Sequence, residues 1–466
     1  MGGFFGVATK SDCSTDLFFG TDYHSHLGTR RGGMIVHNGK EFVRRIHDIS
    51  AAQFRPKFQD DLPHMTGNIG IGVISDYEDQ PVAFHSHLGT FAIVSVGAIK
   101  NAAELSKKLL AERAGHFTEL ADSDINQTEL VAALINQEED IVSGISRMQE
   151  EVVGSCSLLL LTDKGIYAAR DKLGRTPIVL GQKDGGYCAT FESSAMINLD
   201  YKVLRELGPG EIVFITPDGV EQLKAPGKKM RICTFLWVYF GFPSSCYEGV
   251  NAELYRYKCG ASMAMRDDVE IDMVAGVPDS GTGSSIGYAN QKGVPFGRPF
   301  VKYTPTWPRS FMPPNQSMRD LVARMKLQPI ESLIRGKRLL FCEDSIVRGT
   351  QLQDTVTRVY ACGAKAFHMR PSCPPLMFGC KYLNFSRSKG LKELAGRKAM
   401  FALQGDMEKD LDQYVDTTSD KHQAMIDCIR RSLNLSSLKY LSLEELTGLV
   451  GIPEENLCTY CWNGKE

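Results

Sequence analysis

Hydrophobic and polar positions alternate differently in the two halves of the chain. Up to about residue 230, short apolar runs are broken by Gly-containing turns. SCSLLLLTDKGIYAARD (155–171) predicts two strands around an Asp-Lys-Gly turn, and GQKDGGYCATF adds a hairpin. AAELSKKLLAERAG and TELVAALINQEEDIVSGISRM carry the three-to-four-residue spacing of amphipathic helices. This mixture predicts an α+β unit. After about residue 231 the order changes. IDMVAGVPDS is a strand running into a turn, and SSIGYANQKG is a helix ending at Gly293. GRPFVKYT, KRLLFCEDS and KAFHMRPSC supply further strands. Strands alternating with helices predict an α/β unit with a parallel sheet. APGKKMRIC (225–233) is the expected linker, giving units over 1–230 and 231–466, and the last stretch of about 70 residues is helical and polar.

Composition narrows the function classes without choosing one. The 466 residues carry a net charge of −2 and are 43% hydrophobic, so nothing asks for a nucleic-acid or membrane partner. No apolar run reaches the ~18–20 residues of a spanning helix. MGGFFGVATK lacks the basic-then-apolar form of a signal peptide, and Gly6 stands where myristoylation wants Ser or Thr. Thirteen cysteines, an odd number in a long chain, are expected to be thiols of a reducing cytoplasm rather than a disulfide framework.

The most informative stretch is RLLFCEDSIVRGT (338–350): a buried strand, the acids Glu343 and Asp344, and a small-residue turn closing on Arg348-Gly349-Thr350 before a helix. Acids can hold ribose hydroxyls directly or through Mg²⁺. A turn at a helix start offers N–H groups and a positive dipole end to a phosphate. The run resembles the phosphoribosyl-pyrophosphate (PRPP) signature of type I phosphoribosyltransferases, and DSIVRGT is similar to that of the glutamine PRPP amidotransferase family. The resemblance covers nearly the whole chain. It implies that Ser345, Val347, Arg348, Gly349 and Thr350 bind the 5′-phosphate side. VAGVPDSGTGSSIGYA (274–289), with Asp279 and Ser280, would face the pyrophosphate, where Gly281 and Gly283 are expected to let backbone approach an anion. Ser280, Glu343 and Asp344 would hold Mg²⁺ as hard oxygen donors. The family usually has two aspartates where this chain has Glu343-Asp344. VKYTPTWPRSFMPPNQSMRDLVARMKL (301–327) resembles the family's closing loop, with Lys302 and Arg309 as catalytic cations and Arg324 and Lys326 adding charge. It departs from the family's Asn-Arg-Tyr at Tyr303-Thr304-Pro305.

Cys458 and Cys461 form a C-x₂-C pair, open on its own to zinc, redox or chance. Together with Cys233 and Cys380 they match four positions that ligate a [4Fe–4S] cluster in one branch of the family. Zn²⁺ in the same thiolates is the alternative.

The first half resembles an N-terminal-nucleophile (Ntn) glutaminase domain, which implies an αββα sandwich. GGFFGV, HLGTRRGGMIV, ARDKLGRTPIVLG and ESSAMINLDYKVLRELGPGEIVFI follow its frame. Its chemistry is missing. Gly2 stands where the family has the cysteine nucleophile, and the family's His-Arg-Gly is His26-Leu27-Gly28. The arginine for the glutamine carboxylate is Val73, the oxyanion-hole Asn-Gly is Val96-Gly97, and the aspartate for the substrate amine is Gln127. Cys13 is a rival nucleophile only if a propeptide were removed, and STDLFFG after it fits the family start poorly. The resemblance thus implies a transferase making 5-phosphoribosylamine and pyrophosphate from PRPP and ammonia, the entry to purines. The alternative is an inactive PRPP- or nucleotide-binding regulator of an active paralogue. Nucleotide effectors and a homo-oligomer, as a tetramer, are further implications.

Overall fold

The structure is a computed structural model and describes residues 2–50, 52–112, 117–118, 120–121, 124–303, 327–383 and 390–465. The first half contains two antiparallel sheets. The seven-stranded sheet runs in the order Lys202–Glu206, Val179–Lys183, Gly186–Thr190, Gly3–Thr9, Ile69–Ser75, Arg31–His37, Phe42–Asp48. The six-stranded sheet runs Gly219–Lys224, Ile212–Thr216, Ile166–Ala169, Gly154–Leu161, Gly89–Ile99, Val82–Ser86. Alternate residues of the two inner faces, among them Phe4, Ile35, Ile71, Val94, Leu159 and Ile166, close one shared core. Helices cover the outer faces. Leu17 and Phe18 of Ser14–Asp22 pack on the first sheet, and Leu130, Leu134 and Met148 of two helices pack on the second. The result is the αββα sandwich expected from the resemblance.

One expectation changes in detail. The helical reading of 128–148 divides into Gln127–Ile135 and Ile141–Glu151. Asp140 lies between them and accepts the N–H groups of Val142 and Ser143, so its short carboxylate starts a second helix where apolar spacing alone suggested continuation.

The second half holds a four-stranded parallel sheet in the order Met273–Gly276, Arg338–Glu343, Ala366–Pro371, Ser437–Leu438. Helices Ala252–Met265, Thr282–Lys292 and Thr350–Ala361 connect or flank these strands. Phe300–Lys302 is a strand as expected. It pairs antiparallel with Leu327–Pro329, however, in a separate two-stranded ribbon. Near the end of the chain, Leu457–Cys458 pairs in parallel with Ile232–Cys233. That bridge sets the C-x₂-C pair beside the expected linker.

The halves meet through buried charge. Arg170 is fully buried, donates to Thr176 O and Gly174 O at 2.8 Å each, and pairs with Glu248 of the second half at 2.8 Å. Glu206 lies beside Glu248 as well. Burial, and then the Glu248 charge, push its carboxyl up from 4.5 to about 7. The protonated form is therefore favoured in the folded chain. That stability is fully present below pH 4.5 and is lost as pH rises through 7. Glu206→Gln removes the titration. The variant is expected to gain on the parent between pH 5 and 8, by on the order of 1–3 kcal/mol, in melts taken across that range.

Candidate functional site

Glu343 ends its strand and Asp344 begins the turn after it, at the carboxyl edge of the parallel sheet, where open α/β sheets bind ligands. Strand pairing of Met273–Gly276 with Arg338–Glu343 brings the 277–281 turn alongside. Ser280 Oγ donates to Glu343 Oε1 at 2.5 Å, and the Asp344 amide donates to the same oxygen at 3.0 Å. Ser345 Oγ donates to Asp344 Oδ2 at 2.6 Å. Burial, followed by the charge of Asp344 and its hydrogen bond, holds the Glu343 carboxyl well above the usual carboxylate range. Ser280, Glu343 and Asp344 thus form one oxygen-rich cluster. Lys302 reaches it from the ribbon, its Nζ 3.0 Å from Asp279 Oδ2.

Past the acids, Ser345 and Val347 line the turn, Arg348 pairs with Glu393 at 2.7 Å, and Gly349 adopts φ +79°. That left-handed residue turns the chain so that Thr350 opens a 12-residue helix, whose first N–H groups face the turn. Gly281 has a reason within the fold as well: a Cβ there would stand 2.1 Å from Cys342 O, so the glycine lets the turn press against the neighbouring strand. At Gly283 a Cβ would meet Arg256 and Glu253 at 2.9 Å. Arg309, Arg324 and Lys326 lie outside the described residues.

The positions that the resemblance assigns to the glutaminase frame have other contents and other partners. A Cβ on Gly2 would sit 2.1 Å from Ile74 O, and one on Gly3 would meet the His24 ring at 2.5 Å and Leu27 at 2.9 Å. His24 is wholly buried, its Nε2 3.1 Å from Thr190 Oγ1, and burial lowers it to about 4, so it is a neutral packing group. Val73 and Val96 are core residues of their strands. Gln127 ties its helix to the Gly89–Ile99 strand, its Oε1 accepting from Ile99 N at 3.0 Å. His26 Nε2 lies 3.0 Å from the fully buried Glu192. Glu192 also accepts from Tyr247 OH at 2.6 Å and Phe242 N at 3.2 Å, both of the second half. Burial raises its carboxyl, but His26 and Tyr247 outweigh that and hold it below its ordinary value. Glu192 opens the ESSAMINLDY run, yet nothing local in that run signals contact with Tyr247. Cys13 is buried, its amide donates to Gly67 O at 2.7 Å, and burial pushes its thiol up, so it is held as a core residue and not as a nucleophile.

The four cysteines converge. Cys461 is raised by a hydrogen bond with Cys380, by burial, and by the charges of Cys380, Cys233 and Cys458. Tyr382 N and Leu383 N donate to Cys380 Sγ at 3.5 and 3.4 Å. Arg175, from the first half, donates to Cys458 Sγ at 3.2 Å. All thirteen cysteines are free thiols.

A two-sheet sandwich of glutaminase type, joined to a parallel-sheet unit with acids and a phosphate turn at its carboxyl edge, defines a phosphoribosyltransferase with an amidotransferase-type first domain. Comparison with known proteins agrees. The glutamine amidotransferase domain family matches residues 68–198. The amidophosphoribosyltransferase of Archaeoglobus fulgidus is 31% identical over 369 residues, 79% of this chain and 74% of its own length. That of Methanothermobacter thermautotrophicus is 28% identical over 99% of this chain and 93% of its own. Among solved structures, the glutamine PRPP amidotransferase of B. subtilis, complexed with ADP and GMP, superposes with a TM-score of 0.85 at 25% identity, covering 99% of this chain and 96% of that one. The chain belongs to the amidophosphoribosyltransferase family. Among the described residues no helix is long and apolar enough to cross a membrane.

Proposed function

We propose that the chain transfers a phosphoribosyl group from PRPP to ammonia, forming 5-phosphoribosylamine and pyrophosphate, with a first domain that no longer hydrolyses glutamine. The observation that carries the reading is the contrast between the two sites. The Ser280–Glu343–Asp344 cluster and the Arg348–Gly349–Thr350 helix start are assembled, while the nucleophile position is packed shut. Arg348, Gly349 and Thr350 hold the 5′-phosphate, and Glu343 and Asp344 orient the ribose. The 279–283 turn and Lys302 face the pyrophosphate. The nitrogen lone pair of ammonia forms the bond to the anomeric carbon as the bond to pyrophosphate oxygen breaks, and the amine then loses a proton. Mg²⁺, held by Ser280, Glu343 and Asp344, would offset charge on the leaving pyrophosphate. The test is pyrophosphate release from PRPP by the full chain with ammonium at raised pH. No release by folded protein that still binds PRPP favours the regulator.

The donor set also fits a [4Fe–4S] cluster on Cys233, Cys380, Cys458 and Cys461. The four sulfurs come from three segments, and backbone N–H groups and a guanidinium already point at two of them. Zn²⁺ in the same four thiolates is the alternative, and among the described residues no three His, Cys, Asp or Glu side chains are grouped so as to favour either occupant. When bound, the cluster supplies a cross-link between the tail, the linker and the 380 loop, and no electrons to the transfer. Cys461→Ser is expected to leave anaerobically purified protein with less than about a tenth of the parent's iron, measured by chelation assay, and with a lowered melting temperature. The thiols fit a reducing cytoplasm.

A further inference from the structure

Arg175 belongs to the loop between strands Ile166–Ala169 and Val179–Lys183 of the first half, yet it reaches three of the four thiol-bearing places in the second. Its Nη1 donates to Cys458 Sγ at 3.2 Å. Its carbonyl accepts the Cys233 amide at 3.0 Å. Its guanidinium carbon lies 3.4 Å from the ring centroid of Tyr382, two residues after Cys380. Arg175 is 4% exposed, and its Nε is buried with no hydrogen-bond partner among the described residues. Its own amide donates to Asp171 Oδ1 at 2.5 Å, so the loop is fixed from behind. Lys381, next to Cys380, lies over the ring of Tyr460 at 4.5 Å.

Four thiolates brought together away from water repel one another. They are tolerated only where donors and cations oppose that charge. A guanidinium suits this place better than an ammonium, because it can lie flat on an aromatic ring and still present N–H groups along its edge. We propose that Arg175 is a positioning residue for the four-cysteine cluster: it neutralises thiolate charge through Cys458, favours the more negative, reduced state, and makes the first half one wall of the cluster site. This rests on the cluster reading above. One consequence is structural. The 171–176 loop is pinned to Cys233 by backbone bonds and to Cys458 by the side chain, so integrity of the cluster and docking of the two halves depend on each other.

The experiment uses the full chain purified anaerobically as parent, Arg175→Lys and Arg175→Met. Iron and sulfide are counted first. A dye-mediated reductive titration then follows the cluster by electron paramagnetic resonance. The parent is expected to hold iron and sulfide in the ratio of a [4Fe–4S] cluster. Arg175→Met is expected to be harder to reduce, with the reduced-to-oxidised ratio at a fixed potential falling roughly tenfold, about 59 mV for one electron. Arg175→Lys, which keeps the charge and loses the flat stacking, falls between. Loss of iron from the Met variant alone, with its circular dichroism unchanged, supports the same role. Loss from both variants with an intact fold overturns the charge argument, since lysine retains the charge. A Met variant with full iron, the parent's midpoint and the parent's resonance spectrum overturns the role of Arg175 and leaves the cluster standing. A parent without iron and sulfide overturns the cluster reading and this inference together.

Discussion

Ammonium will support pyrophosphate release from PRPP and glutamine will not, with the glutamine-dependent rate at least about 10³-fold below the ammonium rate. The reason is accumulated at several places. Glycine at position 2 offers no thiol. At the positions that the resemblance assigns to the carboxylate-binding arginine and the oxyanion-hole asparagine, Val73 and Val96 present methyl groups, and both are buried among other apolar side chains. A polar substrate entering there would lose its water without gaining partners. Restoring the nucleophile alone will not help. In Gly2→Cys the new Cβ meets the Ile74 carbonyl at 2.1 Å, and backbone cannot move aside as a flexible side chain can. That variant is expected to stay inactive with glutamine and to lose stability, by roughly 1–3 kcal/mol, as overpacking in a strand does. Coupled assays with glutamine and with ammonium at pH 8 to 9, beside a thermal melt, measure both effects. Glutaminase activity in the parent would sink the reading of the first domain. Glutaminase activity in Gly2→Cys alone would show that the pocket is intact and only its nucleophile is missing.

What the chain reveals by itself follows from how local each cause is. The hairpins at 155–171 and 179–190 were legible because alternation and turn residues lie within a few positions of each other. The phosphate turn was legible for the same reason: strand, acids, glycine and the first residue of the helix occupy thirteen consecutive residues. The break at Asp140 was missed because apolar spacing continues across it, and only the cap chemistry of one aspartate marks the new helix. The strand at 300–302 was read correctly, but its partner at 327–329 was not, since nothing in GRPFVKYT shows whether it joins the main sheet. The packing need for Gly281 is not legible in sequence, because the carbonyl it avoids belongs to Cys342, far along the chain. Glu192 and Arg175 show the limit most plainly. Each acts on groups of the other half, so its neighbours in sequence carry no sign of its role.

Asp344→Asn is expected to lower kcat/KM for PRPP by about 10²–10³-fold, with most of the loss in kcat. Asp344 is almost buried, receives the Ser345 hydroxyl, and stands against a Glu343 whose carboxyl is held in its neutral form by burial and by that same neighbour. The pair therefore resists carrying two charges until a cation arrives. Replacing Asp344 with a neutral amide removes that neighbour's charge, but burial still holds the Glu343 carboxyl up, and one of the two carboxylates that would hold the cation and face the reacting ribose is gone. Arg348→Ala makes the informative contrast. A side chain at the phosphate turn contacts a part of PRPP that does not change during transfer, so its loss is felt equally before and during reaction. Its KM is expected to rise by roughly 10- to 100-fold with kcat nearly kept, the range of one charge-assisted hydrogen bond. Steady-state kinetics over PRPP at saturating ammonium separates the two. If both variants lose binding alike in a thermal-shift titration with PRPP, and the parent binds PRPP yet releases no pyrophosphate, the assembled acids serve recognition only. The chain would then be a PRPP-responsive regulator built on a transferase frame.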